Sequence, residues 1–160
     1  MTQTPTPPAI QTLFDAVARR AAQSGAFGPV QHRDGLLACA AKASAEPAEY
    51  RLLVDSGRLW VALVTEHRWL SQSIEADLVH TGDKMEELLV EELIDQGWEP
   101  PPQLAVEHFR DEHKLYTFRS ALPINLAAAA SADSIDRAAK ALLAYEAVFR
   151  VLGDMEAEKE

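Results

Sequence analysis

The sequence predicts an α+β fold in the order helix, antiparallel strands, helix, β-hairpin, C-terminal helix. Three observations lead there: apolar residues recur at three- and four-residue spacing near both ends, the period falls to two between residues 36 and 78, and Gly or Pro separates the periodic stretches. A length of 160 residues suits one domain with a sizeable core. Residues 9–153 form that domain, with 1–8 as a flexible leader and 154–160 as an acidic tail.

The first helix starts at the Thr6-Pro7-Pro8 run, where Thr6 is a candidate cap and a proline in the first turn loses no hydrogen bond. Ile10, Leu13, Phe14, Val17 and Ala21 give it one apolar face, and Gly25 with Gly28-Pro29 supplies the stop. Residues 36–41 fit a strand, although their alanines favour helix as readily. Strands at 50–55 and 58–65 flank Asp55-Ser56-Gly57, a tight hairpin turn. In the second of these, Leu59, Val61 and Leu63 face one way and Trp60, Ala62 and Val64 the other. Neither face is polar, which marks a central strand. Residues 72–78 alternate apolar and polar, as in a strand with one wet face.

A second helix follows a cap at Thr81 or Asp83, with Asp83-x-x-Glu86 as a capping box and Gly97 as its end. On its wheel Asp83, Glu87, Glu91 and Asp95 make one acidic stripe, while Met85, Leu88, Leu89, Val90, Leu93 and Ile94 spread over more than half the circumference. One sheet does not cover so wide an arc. It asks for a second surface: another part of the fold, a twin subunit or a client. The Pro100-Pro101-Pro102 run breaks the helix, strands at 104–109 and 114–122 flank a polar turn at 110–113, and a last helix begins near Ser131, Asp133 or Ser134. Ile135, Ala138, Leu142, Tyr145, Phe149 and Leu152 form its seam, for packing on the sheet or in a bundle, and Gly153 ends it.

Charge narrows the range of partners. Twenty-five acidic against fifteen basic residues give net −10, which repels phosphate backbones and anionic lipid, so neither nucleic acid nor membrane is an expected direct partner. Residues 83–99 hold seven carboxylates against Lys84 alone, either a solvated helix face or a surface for a basic partner. No stretch is apolar enough to span a bilayer, no signal peptide is visible, and Cys39 is the only cysteine. Cytoplasm is the expected location.

Chemistry is not evident. Nucleophile-elbow, phosphate-loop, dinucleotide-binding and metalloprotease motifs are all missing, so no catalytic residue and no cofactor is expected. Five histidines, His32, His67, His80, His108 and His113, match no ligand spacing; His80-x-x-Asp83-x-x-Glu86 is the densest cluster, and helix capping accounts for its acids without a metal. Cys39 reads as a small buried group. Trp60 suits the core, whereas Trp98, between Gly97 and the proline run, suits an interface as well as it suits burial. A pocket formed by Trp69, Tyr116 and Phe118 would instead make the chain a sensor of small ligands.

The order of elements, with Arg58-Leu59-Trp60-Val61-Ala62-Leu63-Val64, the helix at 83–97, and His108-Phe109-Arg110 through Leu115-Tyr116-Thr117-Phe118-Arg119, resembles the YbjN-like family of bacterial sensory transduction regulators. That family's fold is similar to type III secretion chaperones, and the resemblance covers residues 10–152. It implies a homodimeric, non-enzymatic, protein-binding module, with the helix after the first strands at the dimer contact. Met85, Leu88, Leu89, Val90, Leu93 and Ile94 are then the expected dimer surface. Asp83, Glu87, Glu91, Asp95 and Trp98 are the expected contacts for a basic or partly unfolded client protein, nucleic-acid-binding proteins included. No secretion-specific feature is visible.

Overall fold

The computed structural model describes residues 7–33, 35–42, 48–66, 85–110 and 115–158. The expected strand at 72–78, the cap at Thr81 or Asp83, the turn at 111–113, and Thr6, His67, Trp69, His80 and His113 lie outside the described residues. The elements are α1 (Pro8–Ser24), β1 (Phe27–Arg33), β2 (Leu36–Ala41), β3 (Glu49–Asp55), β4 (Arg58–Thr65), α2 (Met85–Asp95), β5 (Glu107–Arg110), β6 (Tyr116–Ala121) and α3 (Ala132–Glu158), with a 3₁₀ turn at Leu126–Ala128. This is the α+β order the sequence predicts.

All six strands form one antiparallel sheet in the order β1-β2-β3-β4-β6-β5. Four consecutive strands make a meander, and the β5–β6 hairpin returns with β6 against β4. The β3–β4 turn is the expected tight one: Ser56 at φ 53° and Gly57 at φ 75° are the two left-handed residues of a two-residue loop whose twist matches its strands. Glycine at the second position avoids the Cβ penalty.

Helix α1 buries Ile10, Leu13, Phe14, Val17 and Ala21, the face its spacing predicts. Pro7 is its N-cap and supplies only a carbonyl, which accepts from the Gln11 amide at 2.9 Å. Gly25 at φ 72° closes it. Helix α3 is capped by Ser131, whose Oγ accepts from the Ser134 amide at 3.1 Å. It packs across β3 and β4 and also against α1 and α2, so its seam is shared between the sheet and two neighbouring helices. It continues through Gly153 to Glu158, beyond the stop and into the stretch expected as a tail. One glycine in a helix costs only about 1 kcal/mol relative to alanine, and Met155, Glu156, Ala157 and Glu158 all favour helix.

Strand β1 is an addition to the expected elements. Gly28 and Pro29 read as breakers, yet both lie in the strand. It is an edge strand, and its register shifts between Phe27 and Val30; edges and bulges are where a sheet tolerates a residue without an amide hydrogen. The later strands also differ in extent. Leu104 belongs to the core, at 2% exposure, rather than to β5, and β6 is shorter than 114–122.

The core lies between helices and sheet. Leu37, Cys39, Tyr50, Leu52, Leu59, Val61, Leu63 and Phe118 project from the strands into it and meet α1, α2 and α3. Within it the hydroxyls of Tyr145 and Ser120 hydrogen-bond each other, so both buried polar groups are satisfied. No helix of the described residues is long and apolar enough to cross a membrane.

Candidate protein-binding surface

Strand alternation sends a second row of side chains to the sheet face opposite the helices. Register places Arg51 across from Ala62 and Ala62 across from Arg119, then Glu49 with Val64 and Val64 with Thr117. Phe109 and Glu107 of β5 continue these rows. Trp60, Ala62 and Val64 are thus buried side chains that stand outside the helix-side core. The sequence reading of β4 as apolar on both faces holds. No helix of the described residues contributes a core residue on this outer face.

Arg119 organises the face. Its guanidinium sits 3.8 Å from the centre of the Trp60 ring and 5.1 Å from that of Phe109. The same group donates to Asp55 at 3.1 Å and to Glu107 at 3.0 Å. The Trp60 indole N–H donates to the Asp55 carbonyl at 3.0 Å, so the ring's one polar atom is paired. Arg51 pairs with Glu49 at 3.0 Å. Between these charged walls runs an open groove of about 460 Å³, lined by Arg51, Leu53, Ala62, Val64, Phe109 and Thr117 among others. The small side chain of Ala62 keeps its floor low. A second depression of about 450 Å³, with Arg58, Leu104 and Pro123 in its wall, lies at the end of the sheet.

Helix α2 is partitioned differently from expectation. Met85, Leu89 and Leu93 are buried in the chain's own core and Leu88 packs against it. A dimer surface using all six apolar residues is therefore corrected: α2 packs against α3, which takes up most of the wide arc. Val90 is half-buried and Ile94 is 41% exposed. The Glu86 carboxylate turns inward and accepts from the Val106 amide at 3.1 Å. Glu87, Glu91 and Asp95 are exposed on the remaining side, and no salt bridge reaches them among the described residues. Asp83, the fourth member of the stripe, lies outside the described residues.

Trp98 is likewise corrected as a client contact. It is 7% exposed, packed in the core, with the Arg137 guanidinium 5.5 Å from its ring centre. Gly97 at φ 91° turns the chain so that the indole folds back beneath α3. Of the three aromatics of the ligand-pocket alternative, Phe118 is a core residue under His108, with the rings stacked at 3.9 Å, and Trp69 lies outside the described residues.

Among the remaining candidates, Cys39 is fully buried on the helix side of the sheet. Burial first and the nearby Glu49 carboxylate second push its thiol up to about 12, opposite to what a reactive thiolate needs. His32 lies on the surface, 3.5 Å from Asp15. No three potential metal ligands converge among the described residues. Sequence reading identified the apolar row of β4 but not Arg119, Asp55, Glu107, Arg51 or Phe109 as its surroundings. The signal for these was the two-sided apolarity of residues 58–64; the register that joins β3, β6 and β5 to it spans distant parts of the chain. No protein-family model matches this sequence, and comparison with curated proteins and with solved structures finds no match.

Proposed function

We propose that this chain is a non-enzymatic, chaperone-like adaptor that works as a homodimer and binds a basic or partly unfolded client protein. The observation that carries the reading is the outer sheet face. Phe109 is 37% exposed beside an open groove of about 460 Å³, whose floor includes Ala62 and Val64, both buried at 1% and 5% exposure, and no described helix contributes to it. A one-sided antiparallel sheet ordinarily turns polar residues to water. An exposed aromatic side chain beside a groove with a charged rim, as here with Arg51, Asp55, Arg119 and Glu107, fits the enrichment of aromatics and arginine at protein interfaces.

The nature of the client follows from α2. Glu87, Glu91 and Asp95 are exposed and unneutralised by described residues, which favours encounter with cations. The likeness in element order to YbjN-like proteins and type III secretion chaperones agrees with this assignment. The cytoplasm is its proposed place, since the lone cysteine is buried in the core and suits a reducing compartment.

The test uses the full chain, the partner recovered by affinity capture, and stopped-flow association at low and high salt. Glu87→Lys with Glu91→Lys should slow capture by about tenfold at low salt. Circular dichroism should be unchanged, because both residues are exposed. An association rate indifferent to both salt and charge reversal overturns the acidic stripe as the client surface.

A further inference from the structure

We propose that the outer face of the sheet is the surface on which a second copy of this chain docks, sheet to sheet about a two-fold axis, with Phe109 of each protomer entering the groove of the other over Ala62. The inference rests on the protein-binding reading and names the occupant of that face. A two-fold contact requires one patch to be complementary to itself. This patch carries both parts: a groove of about 460 Å³ with Ala62 and Val64 in its lining, and a 37% exposed phenyl ring at its side.

Charge favours the same occupant. Along β3, β4, β5 and β6 this face carries as many arginines (Arg51, Arg58, Arg119) as carboxylates (Glu49, Asp55, Glu107). The chain as a whole carries net −10, so a balanced face is where two copies approach without juxtaposing like charges. The exposed residues of α2 offer the opposite situation. Val90 and Ile94 lie beside Glu87, Glu91 and Asp95, and pairing that helix with its twin would bring those carboxylates within a Debye length of about 8–10 Å.

Size is adequate as well. Six strands about 4.8 Å apart and on average about six residues long at 3.3 Å each present roughly 29 by 20 Å in projection, somewhat below but of the order of the ~800 Å² per partner in stable complexes.

The experiment is light scattering and sedimentation equilibrium on the full chain and on Phe109→Glu, Leu53→Glu and Ile94→Glu, each checked by circular dichroism. Wild type should weigh about twice the monomer mass of 17.6 kDa. Phe109→Glu should weaken the dimer at least tenfold, and Leu53→Glu on the opposite wall should do the same should the first variant misfold. Ile94→Glu should leave the dimer intact. A dimer lost only in Ile94→Glu overturns this inference and leaves the adaptor reading standing, with α2 as its dimer contact. A wild-type chain that is monomeric at every concentration overturns both the inference and the homodimer.

Discussion

Replacing Arg119 by alanine removes the group that ties β3, β4, β5 and β6 together on the outer face, and the geometry sets the cost. A guanidinium 3.8 Å from the Trp60 ring centre contributes about 0.5–1 kcal/mol at an exposed site and about 2 when desolvated. Arg119 is 20% exposed and falls between those limits. Its carboxylate partners at 3.0 and 3.1 Å are half exposed, 51% for Glu107 and 50% for Asp55, so each adds only about 0.2–1 kcal/mol. Discounted for sharing one cation, the total is about 1–2 kcal/mol, or roughly 3–6 °C in Tm at this chain length. Thermal melts followed by circular dichroism at fixed protein concentration measure it. Stacking should outweigh the ion pairs, so most of the loss should persist in about 1 M salt, where the Debye length shrinks to about 3 Å. Arg119→Lys should recover less than half, because an ammonium neither stacks flat on the indole nor forks to two carboxylates. An alanine variant as stable as wild type, or a lysine variant that restores everything, would refute the reasoning.

Two further outcomes follow from the core. Tyr145→Phe and Ser120→Ala should each cost about 1–3 kcal/mol in urea unfolding, since each strands a buried hydroxyl partner; the double variant should cost clearly less than the sum, and additivity would show that the bond carries no coupling. Cys39 should resist alkylation in the folded chain and react only as it unfolds, with its thiol raised from 9.0 to about 12. Because its folded value lies above its unfolded value, the contribution to stability is complete below pH 9 and is lost as pH rises from about 9 toward about 12. Cys39→Ala should flatten that alkaline decline, and an unchanged slope would remove Cys39 as its source.

The elements legible in the sequence were those whose burial pattern is local. Ile10 through Ala21 lie on one helix face because one layer covers α1, and Ser56-Gly57 specify a turn with no reference to the rest of the chain. The residues that escaped a sequence reading depend on distant partners. Gly28 and Pro29 break structure in most settings, and only the edge position of β1 makes them acceptable there. Trp98 sits between Gly97 and prolines, a setting that suggests exposure, but α3 arrives from some forty positions later with Arg137 to cover it. The wide apolar arc of α2 is plain in the sequence; that α3 covers Met85, Leu89 and Leu93 while Ile94 stays exposed is a matter of layer order, which a helical wheel does not contain. The outer-face cluster was half legible, in that Trp60, Ala62 and Val64 announce a second apolar face while register decides that Arg51, Arg119 and Phe109 surround them.

The distribution of charge predicts that salt separates the two contacts. The acidic stripe on α2 presents Glu87, Glu91 and Asp95 to solvent, and attraction to a cationic client there is long-ranged and screened, so capture should slow as salt rises. The sheet face is balanced among its described side chains and apolar at its centre. Its self-association gains little from long-range attraction and opposes the repulsion between two chains of net −10. Screening relieves that repulsion, and salts excluded from the surface strengthen apolar burial. The dimer should therefore hold or tighten under the conditions that slow client capture. Sedimentation equilibrium and stopped-flow capture across one salt series provide the comparison. A dimer that dissociates with rising salt, in parallel with the fall in capture rate, would mean that ion pairs and not the Ala62–Val64 groove hold the copies together.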